Sequence, residues 1–289
     1  MSKLMSLFKL VRIEHSIMLI IAVIAAEAIA GAIPSPGILI LSIITPIFLS
    51  MSAFAINDYF DIDTDRKNKK MRPLVTRELK PTYAIYISAI SLIIGIASSI
   101  LINTYCIAIA VIFGALSILY SYWLKRLPIL GNAYVAFAMA IPFIYGNYVV
   151  SSSINYTDLL IFALIFLSGL AREIHGAIRD YEGDMKVRNA VTLPIAIGIP
   201  ASSYISFLLY IFSVIISIFM FFYTRPFFHN LIYIVPILIS DAMLLYSGYI
   251  FLMHKKRSYD KVRNISLIAM GIALVCIFIS SFAGIQIPF

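Results

Sequence analysis

Residues 37–65 read GILILSIITPIFLSMSAFAINDYFDIDTD, a stretch in which about twenty mostly apolar residues run directly into four aspartates. A helix that crosses a bilayer needs about 20 such residues, so residues 37–56 are long enough to span one. The same pattern, an apolar run that ends in acidic residues, returns at residues 159–184. The polar chemistry of this chain is therefore expected at the ends of membrane-spanning helices.

The composition of the whole chain supports the same class. Of its 289 residues, 62% are hydrophobic and 12% are charged, which is far more apolar material than one soluble core could bury. We predict an all-α polytopic membrane protein, a single domain over residues 1–289, with nine transmembrane helices around a central cavity. The predicted spans are 16–33, 37–56, 82–102, 105–122, 130–150, 159–178, 195–223, 231–253 and 265–285.

The basic residues fall almost entirely on one side of this topology. With nine spans, 21 of the 22 lysines and arginines lie on the side of the N-terminus, and Arg225 alone lies on the other. Positive charge collects on the cytoplasmic side of membrane proteins, so we predict a cytoplasmic N-terminus and a C-terminus outside. The net charge of +8 is thus explained by topology and does not indicate nucleic-acid binding.

The first acidic loop, at 57–81, follows the second predicted span. If the helix continues past the membrane, Asn57, Asp61 and Asp65 fall at i, i+4 and i+8 on one stripe, with Asp58 on a nearby face. Carboxylate and amide oxygens without His or Cys suit a hard cation such as Mg²⁺. An ordinary solvated loop is the alternative.

The second acidic loop, at 179–194, repeats this arrangement after the sixth predicted span, with Asp180 and Asp184 at i and i+4. Two acidic stripes facing each other would repel, by about 4 kcal/mol for each pair of charges about 4 Å apart at an effective dielectric near 20. Bridging Mg²⁺ ions would reverse the sign, and they could in turn hold a diphosphate. The basic residues available to it are Arg66, Arg72, Lys125, Arg172 and Arg179.

Three segments of the chain resemble the UbiA family of intramembrane prenyltransferases. They are Asn57-Asp58-x-x-Asp61-x-x-x-Asp65-Arg66 with Arg72-Pro73, Tyr120-Ser121-x-x-Leu124-Lys125-Arg126 with Gly131-Asn132, and Asp180-x-Glu182-Gly183-Asp184 with Thr192-Leu193-Pro194. The resemblance covers nearly the whole chain and implies Mg²⁺-dependent transfer of a prenyl group from a prenyl diphosphate to a lipid-soluble acceptor inside the membrane.

The spacing and this resemblance together define a predicted site. The metal ligands are Asn57, Asp61, Asp65, Asp180 and Asp184; the catalytic residues are Arg12, Arg66, Arg72, Tyr120, Lys125 and Arg172; and the substrate-binding residues are Asn57, Asp58, Asn132 and Arg179.

The chain departs from the family pattern at two places. The second motif of the family commonly carries a Lys-Asp pair where this chain has Gly176-Ala177, so one acidic ligand and one basic group are missing, for which His175 or Glu182 could compensate. Near the N-terminus, Arg12 is followed by His15, where the family has an asparagine.

The possible functions within this family differ in the acceptor of the prenyl group. The compact chain, rich in Ile and Lys, looks most like the branch of the family that transfers a geranylgeranyl group from geranylgeranyl diphosphate to geranylgeranylglyceryl phosphate in archaeal ether-lipid synthesis. An aromatic acceptor of the 4-hydroxybenzoate type is the alternative within the family. Outside it, a secondary transporter would use the midplane acids Glu27 and Asp241, whereas the aspartate pattern of CDP-alcohol phosphotransferases is absent.

Overall fold

The computed structural model describes residues 3–67, 70–182, 185, 191–254 and 258–284, and these residues are helical apart from turns and connecting loops. The all-α prediction is therefore confirmed for the described residues. The α-helices are α1 (Lys3–Val11), α2 (Glu14–Ile29), α3 (Pro36–Phe60), α4 (Ile62–Lys67), α5 (Pro81–Ile100), α6 (Thr104–Tyr122), α7 (Leu130–Val150), α8 (Tyr156–Arg179), α9 (Leu193–Ile197), α10 (Ile199–Tyr223), α11 (Leu231–Leu252) and α12 (Tyr259–Ser281). Short 3-10 helices at Leu124–Arg126 and Phe282–Gly284 follow α6 and α12.

Eight of these helices are long and apolar enough to cross a membrane: α3, α5 to α8 and α10 to α12. The first predicted span, 16–33, falls on α2, which has 16 residues and so a length of about 24 Å, short of the bilayer core of about 30 Å. Gly31, with a φ of 106°, and the prolines that follow it end this helix before residue 33.

The helix ends follow ordinary capping chemistry. The side chains of Asn103, Asn155 and Asn230 each accept a hydrogen bond from a backbone N–H in the first turn of the helix that follows. The predicted span 195–223 is wrong at its start. Gly198, at a φ of 85°, ends α9, and α10 begins only at Ile199.

Contacts divide the chain into two compact units. The first contains Met1–Ile20 and Pro34–Lys125. In it α3 packs on α5 through small residues: Oγ1 of Thr45 lies 2.9 Å from Oγ of Ser98, and Oγ of Ser52 lies 3.0 Å from Oγ of Ser88. Small side chains of this kind let helices approach closely in a membrane, where their hydroxyls hydrogen-bond across the interface.

The second unit contains Ile21–Ile33 and Arg126–Phe289. Its core includes Phe143, Phe227 and Tyr233, and the hydroxyl of Tyr233 donates to the carbonyl of Ser217, 3.0 Å away. Gly146 marks a close contact of α7 with α2, because a Cβ atom at this position would lie 2.6 Å from the carbonyl oxygen of Val23. The backbones of these two helices therefore touch only because residue 146 has no side chain.

We expect Gly146→Ala to destabilise the protein by about 1–3 kcal/mol, the usual cost of an added methyl group in a closely packed core. Gly271→Ala in α12 is the matched control, since a Cβ atom at 271 would meet nothing within 4 Å. Thermal unfolding in detergent measures the difference. Equal midpoints for the two variants would contradict the close contact of α2 with α7.

Candidate active site

The first acidic motif keeps its predicted stripe although the helix changes at Asp61. Helix α3 ends at Phe60 and α4 begins at Ile62, yet two backbone hydrogen bonds continue the helical pattern through the junction. The N–H of Asp61 donates to the carbonyl of Asn57 at 3.0 Å, and the N–H of Asp65 donates to the carbonyl of Asp61 at 2.8 Å. Asn57, Asp61 and Asp65 therefore stay one turn apart.

Asp58 is bound by two arginines at once. Its side chain is 2% exposed, and its Oδ1 accepts from Nη2 of Arg12 at 3.0 Å and from Nη1 of Arg72 at 2.6 Å. Arg12 lies in the turn between α1 and α2 with a φ of 49°, and its guanidinium also covers the ring of Phe54 at 4.5 Å. This buried carboxylate therefore connects the N-terminal turn, the end of α3 and the loop after α4.

Asp65 and Asp61 have cationic partners of their own. Nη1 of Arg72 and Nζ of Lys70 lie 2.7 Å and 3.1 Å from the two oxygens of Asp65, whose side chain is 2% exposed. Nζ of Lys125 donates to Oδ1 of Asp61 at 2.7 Å. We call Asn57, Asp58, Asp61 and Asp65, with Arg12, Lys70, Arg72 and Lys125, the first charged cluster.

An amide completes the cluster. Nδ2 of Asn57 donates to Oδ2 of Asp61 at 3.1 Å, while its Oδ1 lies 3.4 Å from Nζ of Lys125. Lys125 therefore places an ammonium against oxygens of both Asn57 and Asp61. Oxygen atoms that already bind one cation are a suitable donor set for Mg²⁺, which usually takes one or two carboxylates from a protein and the rest from phosphate and water. Among the described residues, no group of three or more His, Cys, Asp or Glu side chains is placed to hold one metal ion.

Helix α1 supports this cluster from the N-terminal side. Leu10 of α1 packs with Leu74 and Leu79 of the loop after α4. The hydroxyl of Ser6 donates to the carboxylate of Glu78 at 2.5 Å, and this hydrogen bond holds the pKa of Glu78 below its usual value. The position of Arg12, at the end of α1, depends on these contacts.

The structure brings Arg12, Arg72 and Lys125 together but places Arg66 elsewhere. The side chain of Arg66 is 56% exposed and pairs with Asp63 at 3.1 Å, on the outer side of α4. Tyr120 lies half-buried in the last turns of α6. Lys70 was missed as a site residue, because only the turn that brings its N–H to the carbonyl of Asp65, at 2.9 Å, places it beside that carboxylate.

The second acidic motif is only partly described. Asp180 ends α8 with an exposed side chain, and both of its oxygens accept from the guanidinium of Arg179, at 2.7 Å and 2.8 Å. Asp184 lies outside the described residues. Arg172 is nearly buried on α8 and donates to Glu173 at 3.3 Å, and Nδ2 of Asn132, near the start of α7, is buried.

His175 does not compensate for Gly176-Ala177, because its side chain is buried against other helices. Its Nε2 lies 2.8 Å from Oγ of Ser206 on α10, and its ring stacks on Phe251 of α11 at 3.8 Å. It therefore serves the packing of three helices. Glu182, the other candidate, is exposed.

The buried acids in the spans have different surroundings. Asp241 accepts a hydrogen bond from Oγ of Ser217 on the neighbouring α10, 2.6 Å away. Glu27 has a fully buried side chain on α2. Asp158, in the first turn of α8, is equally buried, which could not be predicted because it follows the polar segment Asn155-Tyr156-Thr157.

Comparison with known proteins identifies the family. The model of the UbiA prenyltransferase family matches residues 18–283, so the chain belongs to the UbiA prenyltransferase family. The digeranylgeranylglyceryl phosphate synthase of Archaeoglobus fulgidus is 33% identical over 282 residues, which are 96% of each chain.

Solved structures share the fold. One, named for digeranylgeranylglyceryl phosphate synthase in membranes, is 29% identical and has a TM-score of 0.80 over 98% of this chain and 99% of that one. Another, a UbiA homologue from Archaeoglobus fulgidus bound to GPP and Mg²⁺, has a TM-score of 0.66 at 18% identity, covering 94% of this chain and 99% of its own.

We expect Asp58→Asn to destabilise the first unit, because it leaves Arg12 without a charged acceptor and Arg72 with Asp65 alone. Breaking a buried ion pair costs about 3–5 kcal/mol, and the lower end applies since Arg12 and Arg72 are 26% and 24% exposed. Asp63→Asn is the control, since this exposed aspartate forms only a surface pair with Arg66, worth about 0–1 kcal/mol. Thermal unfolding in detergent compares the two, and similar midpoints would refute the role of Asp58.

Proposed function

We propose that this protein transfers a geranylgeranyl group from geranylgeranyl diphosphate to geranylgeranylglyceryl phosphate, with Mg²⁺ as cofactor, in archaeal ether-lipid synthesis. The observation that carries the proposal is the first charged cluster, which combines oxygen donors with guanidinium and ammonium groups in a chain of the UbiA prenyltransferase family. The name of the Archaeoglobus fulgidus relative supports the choice of acceptor, and the homologue bound to GPP and Mg²⁺ supports the choice of cofactor and of donor class.

In this reaction the bond between C1 of the donor and its diphosphate oxygen breaks, and the acceptor hydroxyl oxygen bonds to C1 and loses its proton. Charge grows on the leaving diphosphate, so the site must supply positive charge there. Asn57, Asp61 and Asp65 would hold Mg²⁺ in the first unit, and Asp180 and Asp184 would hold it at the second motif. Bound there, the ion would neutralise phosphate oxygens as a Lewis acid.

The basic residues of the cluster would also stabilise the negative charge on the leaving diphosphate. Arg72 presents a guanidinium that already spans two carboxylates, 2.6 Å from Asp58 and 2.7 Å from Asp65, and a guanidinium is well suited to phosphate oxygens. Lys125, now 2.7 Å from Asp61, has a flexible side chain that can exchange this carboxylate for a phosphate oxygen. Arg12 positions Asp58, and Arg66, which is exposed, would act at most at the edge of the site.

The rival functions have less support. Membership of the prenyltransferase family argues against a secondary transporter, and Asp241, one of the two acids on which that alternative depends, is hydrogen-bonded to Ser217. No feature of the described residues favours an aromatic acceptor over the prenylated glycerol phosphate that the name of the Archaeoglobus fulgidus relative supports.

We also propose the topology that the charges predict: one domain over residues 1–289 in the cell membrane, with nine spans around a central cavity and a cytoplasmic active site. Helix α2 would be the ninth span, extended by the residues that follow it. Placing 21 of 22 basic residues on one side supports a cytoplasmic N-terminus and a C-terminus outside.

Single cysteines test this topology in a background of Cys106→Ser and Cys276→Ser. If α2 crosses the membrane, Ser35→Cys reacts with an impermeant thiol reagent from outside intact cells, whereas Lys3→Cys and Arg77→Cys react only after lysis. All three positions are exposed, so accessibility is matched. Labelling of Ser35→Cys and Lys3→Cys from the same side would refute the crossing.

An assay of the purified protein tests the reaction. We expect product from geranylgeranyl diphosphate and geranylgeranylglyceryl phosphate only when Mg²⁺ is present, and none from 4-hydroxybenzoate. Turnover of the aromatic acid without turnover of the glycerol phosphate would overturn the assigned acceptor.

Two variants test the site. Asp61→Asn should reduce turnover by about a hundredfold or more, because the charge that holds the cation is lost. Asp63→Asn, two residues away with an 87% exposed side chain, should leave turnover within about twofold. Full activity in Asp61→Asn, with the fold verified by its unfolding midpoint, would refute the assignment of Asp61.

A further inference from the structure

Two arginines on neighbouring helices of the second unit have donors that no described residue satisfies. They are Arg172 on α8 and Arg263 on α12, and in each the Nε atom is buried without a hydrogen-bond partner among the described residues. Buried N–H groups are almost always paired in folded proteins. Two such donors, both on charged side chains, therefore indicate an acceptor that the described part of the chain does not supply.

The glycine at position 176 leaves room for the side chain of Arg263 against α8. A Cβ atom at Gly176 would lie 3.8 Å from Nε of Arg263, so the guanidinium of Arg263 lies over the glycine. Arg172 precedes Gly176 by four residues and so lies one turn away on the same face of α8. The side chain of Arg263 thus lies against α8 at residue 176, one turn after Arg172. Residue 176 is a glycine and has no side chain to occupy this space.

The acidic side chains near this part of α8 form ion pairs with Arg172 and Arg179 but, among the described residues, none with Arg263. Arg179 is fully engaged, since it binds both oxygens of Asp180 and lies 3.5 Å from Asp260. Glu173 accepts from Arg172 through one Nη1 atom at 3.3 Å. Arg263 is within electrostatic reach of Arg172 and Glu173 but forms no ion pair with any described residue. Of the two guanidinium groups, only that of Arg172 therefore has a carboxylate of the described residues within ion-pair distance.

We propose that Arg172 and Arg263 bind the phosphomonoester of the lipid acceptor. Guanidinium groups are planar, permanently charged and matched in geometry to phosphate oxygens, and two of them can meet the charge of a phosphomonoester without a metal ion. This inference rests on the proposed function. It adds a second anion site, in the second unit, and names Arg263 as a substrate-binding residue.

The acceptor is favoured over the donor for this pair because of what surrounds it. The donor diphosphate carries more charge and is expected to bring Mg²⁺, which requires carboxylate oxygens with room for a cation. Glu173, which accepts from Arg172, is not among the proposed Mg²⁺ ligands, so the pair itself offers guanidinium groups and no ligand for the ion that the donor brings. A single phosphate group held by arginines alone fits this arrangement.

Arg263→Gln tests the proposal, with Lys261→Gln as the matched control. Lys261 is an exposed basic residue two positions earlier on α12. We expect Arg263→Gln to raise KM for geranylgeranylglyceryl phosphate by about tenfold or more, the usual loss for one charged hydrogen bond, with KM for geranylgeranyl diphosphate unchanged. Arg263→Lys, which keeps the charge but not the planar fork, should fall in between. An increase confined to the donor KM, or equal kinetics in Arg263→Gln and Lys261→Gln, would overturn the proposal.

A binding measurement tests the anion site separately from the reaction. Without donor or Mg²⁺, geranylgeranylglyceryl phosphate should raise the unfolding midpoint of the wild type and of Lys261→Gln. Two control ligands at the same concentration should raise the midpoint much less: geranylgeranylglycerol, which lacks the phosphate, and inorganic phosphate. The extra shift should disappear in Arg263→Gln and be reduced in Arg263→Lys. If the wild type binds the phosphorylated lipid but forms no product, the proposed function fails and the anion site stands. If Arg263→Lys and the wild type, both folded, show the same shift and the same acceptor KM, the site is refuted.

Discussion

The carboxylate of Asp58 is the interaction on which the first unit depends. One oxygen of this buried side chain accepts from Arg12 and from Arg72, and these three residues come from the turn after α1, the end of α3 and the loop after α4. A buried charge is tolerated only when it is paired and hydrogen-bonded. The three segments must therefore meet for any one of them to be stable, and their meeting places Arg72 beside Asp65.

The apolar remainder of the chain needs a different source of specificity. Between helices in a membrane the hydrophobic effect contributes little, because lipid tails are as apolar as leucine. The chain instead uses glycines and serines at its contacts: Gly146 against Val23, Gly248 against Phe207, and the hydroxyl pairs that join α3 to α5. Close backbone approach and short hydrogen bonds thus determine which helices pack together.

Much of the helical fold and of the first acidic motif could be predicted from the sequence. Apolar runs located the long helices, and the i to i+4 spacing placed Asn57, Asp61 and Asp65 on one stripe. Helix periodicity fixes neighbours along one helix, but it does not say which partners arrive from elsewhere in the chain. The pairing of Lys70 with Asp65 depends on a turn, the outward position of Arg66 depends on where α3 gives way to α4, and His175 faces α10 and α11 because of tertiary packing.

Lys125 also affects how the first charged cluster can fold. Its ammonium lies against Asp61 and Asn57, so the oxygens expected to hold a divalent ion are already neutralised by the chain itself. In many metalloproteins the ligands repel one another until the metal arrives, and folding then depends on metal supply. Here a covalently attached cation performs that task for Asp61, so we expect the first unit to fold without Mg²⁺ and to need the ion only for the proposed reaction.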